Sequence, residues 1–477
     1  MAPGDTARLY HRLSSYAGAP DVEWPTPIDH PLVRQDFAPN HRPTFPAHRK
    51  VYPDSLPTIE LPEAWPPVHA PTFDLLAGRY ASVGRELDLE GLARILHLSA
   101  GVVRVAMRRD GRRFLFRPAG SAGGLFPLEL YVAARAVAGL RDGVYWYDPV
   151  AHSLLLVAPA PAGEATTIVV TGIPWRTGWR YAERGYRHIY WDAGTMLANT
   201  IALADAGGYR PGLLTRFPDV AVARLVGADG TQEFPLAIVT LGCGEPAIGP
   251  GGEAATGAID VAPVEFPLVT LAQHAGDGER LGEPWPAAPP VDGALPVTDD
   301  LDTVILRRGS ARTLDATAEV DRRTFERSLA VSLRGTRVPH FIAVHAVEGL
   351  APGLYRWPDL ERPVRRGSLR DELWVACYGQ DLGRDASFVV IGAVDLDRLD
   401  DRGYREAQLD AGIVEGRLHL AAYALGIGAS GMTFLDSEIQ ALLGEPLAAL
   451  LFTCVGIPHH RTKRAGTPRH PTDLSEP

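Results

Sequence analysis

The chain has 477 residues, 46% hydrophobic and 22% charged, which fits soluble globular material too long for one small domain. A net charge of −10 excludes general binding to nucleic acid or to an anionic membrane surface. No stretch is apolar and long enough to span a bilayer, and the opening MAPGDTARLYHRL lacks the apolar run of a signal peptide, so a cytoplasmic protein is expected.

In chain order, residues 1–70 are rich in Pro and His and read as an arm wrapped over the body. Residues 71–245 and 301–465 then carry one pattern twice. Arg184-Gly-Tyr-Arg187 followed by Asp192-Ala-Gly194 recurs 218 residues later as Arg402-Gly-Tyr-Arg405 followed by Asp410-Ala-Gly412. Gly139-Leu-x-x-Gly143-Val-Tyr145 recurs 210 residues later as Gly349-Leu-x-x-Gly353-Leu-Tyr355. Glu233-Phe-Pro-Leu236, running to Gly242, is matched by Glu445-Pro-Leu447, running to Gly456. Three pairs in one order at nearly one offset mark a duplicated domain.

Between the copies, residues 246–300 are dense in Gly, Pro and Ala and read as a linker. The polar tail after Lys463 is expected to fray. Within the copies, Leu154–Val157, Ile168–Val170 and Phe388–Ile391 read as short β-branched strands. Apolar residues at helical spacing predict a helix from Asp410 to Leu425, stopped by Gly426. The fold class is therefore α+β, doubled. Cys243, Cys377 and Cys454 are far apart in sequence, so buried reduced thiols are expected rather than a zinc or CxxC site.

Four segments have the composition of binding elements. Arg117-Pro-Ala-Gly-Ser-Ala-Gly-Gly-Leu-Phe-Pro127 is a small-residue loop that lets backbone approach a flat ligand, with the Ser121 hydroxyl and backbone N–H groups facing a heterocycle's carbonyl edge. An ordinary Gly-rich turn is the competing reading. In Arg307-Arg-Gly-Ser-Ala-Arg312, residues Arg308, Ser310 and Arg312 alternate, so an extended segment puts two guanidinium groups and a hydroxyl on one face, which suits a phosphate as well as it suits a solvated turn. Gly426-Ile-Gly-Ala-Ser-Gly-Met-Thr-Phe434 spells GxGxxG but follows a helix, so it fails as a dinucleotide motif. Arg461 and Lys463 either add charge to a phosphate site or belong to a solubilising tail. Ala119-Gly-Ser121-Ala-Gly123 lacks the strand–turn–helix setting of a hydrolase nucleophile, and His459-His460 lacks metal-ligand spacing.

The run from Leu96-His-Leu-Ser-Ala-Gly101 through the 117–127 loop to Gly143-Val-Tyr145 resembles the SagB-type dehydrogenases, the FMN-dependent azoline oxidases of the nitroreductase superfamily. Lys50-Val-Tyr-Pro53, Ile59-Glu-Leu-Pro62 and Tyr181-Ala-Glu-Arg-Gly-Tyr-Arg187 share that resemblance. It implies a nitroreductase-like α+β sandwich that works as a dimer with FMN in the groove between subunits. It also implies an Arg-x-Ser-x-Arg phosphate clamp, matched by Arg308, Ser310 and Arg312 in the second copy; Arg79-Tyr-Ala-Ser-Val-Gly-Arg85 in the first has the wrong spacing. The flavin loop survives in the first copy as Arg117 and Ser121, Ala122 and Gly123, whereas the second has Arg334-Gly-Thr-Arg-Val-Pro-His340.

The copies are thus expected to pair as a pseudo-dimer within one chain, with one composite FMN site and one lost site. The second copy would add a turn near the ring N5 (Gly431, Met432, Thr433) and Arg461 with Lys463. The implied reaction is oxidation of a thiazoline or oxazoline to the azole, in a modified peptide, a carrier-bound intermediate or a small molecule. The family's Lys-Tyr catalytic pair is replaced by Arg180 and Tyr181; an arginine polarises but does not act as base, which leaves Tyr181 as the stronger candidate. NAD(P)H-dependent reduction of nitro compounds or quinones, and a flavin-less peptide-binding scaffold, are the alternatives.

Overall fold

The computed structural model describes residues 2–18, 27–80, 84–107 and 111–475. The N-terminal region supplies helix α1 (Asp5–Leu13) and strand β1 (Thr58–Glu60). The first copy opens with helices α2 (Thr72–Leu76) and α3 (Leu89–Ala100) and the hairpin of β2 (Arg104–Met107) and β3 (Arg113–Phe116). Strands β4 (Leu128–Ala134), β5 (Gly143–Asp148), β6 (Ser153–Ala158) and β7 (Thr166–Gly172) follow. Helices α4 (Pro174–Tyr181) and α5 (Gly185–Gly207) lead to β8 (Pro211–Leu214), α6 (Asp219–Leu225) and β9 (Phe234–Leu241).

Helix α7 (Pro267–Ala275) lies between the copies. The second copy begins with α8 (Leu301–Arg307), α9 (Arg322–Ser332), β10 (His340–Val344), β11 (Gly353–Arg356) and β12 (Arg365–Arg366). It continues with α10 (Arg370–Ala376), α11 (Asp381–Asp385), β13 (Phe388–Val394) and α12 (Asp401–Ala424). Strand β14 (Gly428–Met432), α13 (Ile439–Leu443), β15 (Ala448–Gly456) and β16 (Thr472–Asp473) complete the chain.

The duplication is visible in the sheets. The first copy orders its strands β6-β5-β4-β7-β9-β8, with β1 added beyond β6, and the second orders them β12-β11-β10-β13-β15-β14. The central strands β7 and β13 are buried along their whole length, which is why they read as continuous β-branched runs rather than alternating ones. The α+β sandwich of two fused, diverged copies is thus the fold. Among the described residues, no helix is long and apolar enough to cross a membrane.

Helices α5 and α12 cross at the centre. A Cβ on Gly194 would lie 2.3 Å from the Leu409 carbonyl oxygen, and one on Gly412 would lie 2.4 Å from that of Trp191. These positions are 218 apart, so the contact is reciprocal, as across a two-fold axis. The repeated Arg-Gly-Tyr-Arg motif clamps the same interface. Arg184 and Arg187 pair with Asp436 of the second copy, the latter at 2.7 Å, and Arg402 and Arg405 pair with Asp219 of the first at 2.7 and 3.3 Å. Arg184 also lies over the Phe434 ring and Arg402 over the Phe217 ring. Burial pushes the Asp436 carboxyl up, but the Arg184 and Arg187 guanidinium groups reverse this and hold it well below the usual carboxylate range.

Five local expectations need correction. The helix expected from Asp410 begins at Asp401, because the Asp400 side chain caps it by accepting from the Gly403 N–H; it does end just before Gly426. Segment 246–300 is no bare linker: it contains α7, whose Gln273 accepts hydrogen bonds from Tyr186 and Tyr190. The tail after Lys463 docks, since β16 pairs with β2 and the Leu474 N–H donates to the Val105 carbonyl. Gly431 and Met432 lie in strand β14, paired with β15, rather than in a turn. Cys243 is exposed, while Cys377 and Cys454 are buried.

Candidate active site between the two copies

A cavity of about 1360 Å³ opens where the first copy's small-residue loop meets the second copy's start and end. Gly309 packs directly on Thr462, with a Cβ there only 2.0 Å from the Thr462 hydroxyl, and this contact brings segments 308–312 and 461–463 together. Arg117, Ser121, Ala122, Gly123, Arg180 and Tyr181 of the first copy line the cavity. Arg308, Ser310, Arg312, Gly431, Met432, Thr433, Arg461 and Lys463 of the second copy line it too. Every residue singled out in the sequence therefore reaches one space, although the local roles differ from expectation.

Arg117 is buried and donates to the carbonyls of His48 and Leu128, so it shores up the wall. The Ser121 hydroxyl and the Ala122 N–H, expected to face a ring, both donate to Asp192. They shape the loop, which turns through the left-handed region at Gly123 and Gly124. Arg308 is buried; its Nε donates to the Pro118 carbonyl at 2.7 Å and its Nη1 to His419 Nδ1 at 3.4 Å. Ser310, Arg312, Arg461 and Lys463 are exposed around the mouth. Arg180 and the Tyr181 hydroxyl meet at Gly123, each within about 3.2 Å of a Cβ built there. The Tyr181 ring stacks on His188, with centroids 4.0 Å apart. Burial pushes its phenol up to about 12, which the neighbouring Arg180 charge only partly offsets.

Sequence reasoning missed Asp192, Thr195, Glu415 and His419. Burial, opposed by the hydrogen bonds from Ser121 and Ala122, pushes the Asp192 carboxyl up to about 8. The repeat held the signal for it: its counterpart Asp410 accepts from the Thr336 hydroxyl and the Arg337 N–H in the same way.

The mirror position, where the second copy's loop faces the first copy's start, is filled by the chain itself. The Trp285 indole N–H donates to the Thr215 hydroxyl at 2.8 Å, and Arg337 lies over its ring at 5.1 Å. Ala288 lies against Gly335, 2.5 Å from a Cβ built there, and its carbonyl accepts from Arg334. The Val291 carbonyl accepts from Arg79. Residues 81–83 of the Arg79–Arg85 segment lie outside the described residues. By contrast, a Cβ on Gly120 at the open site would meet nothing nearer than 3.6 Å, and the buried Thr433 hydroxyl has no hydrogen-bond partner. A glycine cradle, an orphaned hydroxyl and a cationic mouth fit a flat heterocycle carrying a phosphate.

No family model matches the chain. A Methanocaldococcus jannaschii protein assigned as a nitroreductase is 27% identical over 171 residues, covering 33% of this chain and 81% of that protein. A crystal structure assigned as a nitroreductase of Anabaena variabilis matches with a TM-score of 0.69 and 25% identity, over 95% of this chain and 99% of that one. The Escherichia coli microcin synthetase complex McbBCD with truncated pro-MccB17 bound gives a TM-score of 0.28 and 18% identity, over 50% of this chain. The chain thus carries, in doubled form and over nearly its whole length, the nitroreductase fold of FMN-dependent oxidoreductases.

Proposed function

We propose that the chain is an FMN-dependent oxidoreductase that oxidises a thiazoline or oxazoline, in a modified peptide or a small molecule, to the azole. The observation that carries a single flavin per chain is the contrast between one open cavity and its filled mirror. The azoline assignment rests on the sequence resemblance of the 96–145 and 181–187 segments.

In this reading Ser310, Arg312, Arg461 and Lys463 would hold the cofactor phosphate, Arg308 braces the loop through the Pro118 carbonyl, and the 117–124 loop would receive the ring. Bound FMN would supply a two-electron acceptor for substrate hydride, the proton lost in the same oxidation would leave to water at the open mouth, and dioxygen would reoxidise the reduced flavin. Arg180 and Tyr181 then act as paired donors beside Gly123: a phenol with its proton held and a guanidinium polarise an oxygen or nitrogen of the substrate. The Tyr16, Tyr378 and Trp191 rings line the same cavity.

Purified chain should be yellow, with about one FMN per chain by absorbance. Anaerobic addition of an azoline peptide should bleach it. A second reading, NAD(P)H-dependent reduction of a nitro compound or quinone, is favoured by the names of the Anabaena and Methanocaldococcus relatives. Rapid bleaching by NADPH with none by azoline would replace the first reading by the second. A colourless chain that takes up no FMN would end both and leave a flavin-less scaffold.

A further inference from the structure

Helices α5 and α12 are two copies of one helix, so each residue facing the open cavity has a counterpart facing the filled one. Asp192 and Asp410, Arg187 and Arg405, and Gly194 and Gly412 are alike. Among the positions that differ, three bear on the floor of the cavity. Glu415 lines the open cavity, with Thr195 and His419 beside Gly120 just behind its wall; the counterparts of Thr195, Glu415 and His419 are Ile413, Leu197 and Ile201. Leu197 and Ile413 are buried in the hydrophobic core, so the helix crossing accepts apolar residues at these places.

Thr195 and His419 flank the Glu415 carboxylate. The Thr195 hydroxyl is shared between the Trp191 carbonyl at 2.9 Å and Glu415 Oε2 at 3.1 Å. Because Arg308 donates to His419 Nδ1, the proton of a neutral His419 sits on Nε2, 3.5 Å from Glu415 Oε1. Burial lowers the His419 pKa, so the ring is neutral. Glu415 lines the cavity and its Oε1 fills the side-chain place of Gly431, 2.1 Å from a Cβ built there. Thr195, His419 and Arg308 border Gly120 of the flavin loop at 3.6 to 3.9 Å from its Cβ position. Thr195 and His419 leave part of the acceptor capacity of the Glu415 carboxylate open toward the cavity, where the counterpart Leu197 offers none.

We propose that Glu415, oriented by Thr195 and His419, accepts a hydrogen bond from the bound flavin. The inference rests on the flavin reading above. A flavin offers donors of two sources, the ring imide N–H and the ribityl hydroxyls, and the carboxylate suits either.

The test is direct titration of the apo-chain with FMN, followed by flavin fluorescence. Glu415→Leu copies the composition of the other crossing, so it should fold, which the thermal midpoint checks. Its FMN dissociation constant should rise roughly 10- to 100-fold, the range for a hydrogen bond to a charged group. His419→Ile should move it the same way by less. Titration with 3-methyl-FMN separates the sources. A wild-type preference for FMN over the methylated ring that vanishes in Glu415→Leu identifies the imide. Equal wild-type affinities, both weakened in the variant, identify the ribityl chain. Should Glu415→Leu not fold, Glu415→Gln is measured instead: loss of a negative charge beside the ring should raise the flavin midpoint potential. Unchanged affinity in Glu415→Leu, or unchanged affinity and potential in Glu415→Gln, overturns the proposal while leaving the flavin reading intact. A wild-type chain that binds no FMN overturns the flavin reading first.

Discussion

At the scale of single residues, the cavity separates side chains that face a ligand from those that only shape the wall. Arg312 is exposed at the mouth and belongs to the proposed clamp, so Arg312→Ala should weaken FMN binding roughly 10- to 100-fold with little change in thermal stability. Full retention of FMN through gel filtration would remove it from the clamp. Tyr181→Phe keeps the stacked ring but removes the hydroxyl beside Gly123. That variant should hold FMN normally and oxidise azoline about 100-fold more slowly in single-turnover bleaching; an unchanged rate would exclude the hydroxyl from the reaction.

Asp192 makes a pH prediction. Its carboxyl is pushed up to about 8 from a usual 3.8. Below pH 3.8 the folded and unfolded chains both bind this proton. As pH rises toward 8 the unfolded chain releases it while the folded chain keeps it, so stability falls across that window and levels off above it. Asp192→Asn does not titrate; its amide oxygen can still accept from the Ala122 N–H, while its NH2 group faces the Ser121 hydroxyl, which then accepts. The thermal midpoint of the variant relative to wild type should therefore climb between pH 6 and pH 8. A difference that is flat with pH would mean that the Asp192 carboxyl is already ionised at neutrality.

At the scale of elements, the sequence was most readable where periodicity was undisturbed. The strand cores at 168–170 and 388–391 sit inside β7 and β13 because β-branched residues buried on both faces leave no other pattern, and the short apolar run 154–157 sits inside β6. The start of α12 was hidden because its first turns carry Arg402 and Arg405, whose charges suggest a surface loop until Asp219 neutralises them from the other copy. Ser121 was legible as a site residue but not its partner, since Asp192 comes from a helix 70 residues away.

The same clamp defines a test. Asp436→Asn leaves Arg184 and Arg187 buried without a counter-charge, and Asp219→Asn does so to Arg402. Each should cost about 3–5 kcal/mol in urea unfolding, the range for breaking a buried pair. The two costs should be similar because the contacts mirror one another. A loss below about 1 kcal/mol in either would show that the motif is a by-product of the duplication rather than the interface lock.

At the scale of the whole molecule, duplication explains what no single motif does. A symmetric dimer of one short chain has two identical sites and must keep both loop and clamp in every copy. Fusion releases each copy from half of that requirement. In the proposed reading the first copy keeps the loop and the second the clamp, and the mirror position is taken by Trp285 and its neighbours. The indole meets Thr215 and Arg337, and the segment ties Arg79 and Arg334 to its own carbonyls. Trp285→Ala removes that filler. If the mirror position has become purely structural, the variant should unfold at a lower temperature, because half-buried aromatic packing and the Thr215 partner are lost. It should still bind one FMN per chain, since Arg79 and Arg334 remain engaged with backbone and no phosphate clamp replaces them. A rise toward two FMN per chain would instead mean that the lost site is only covered, and that the segment between the copies competes with a second cofactor.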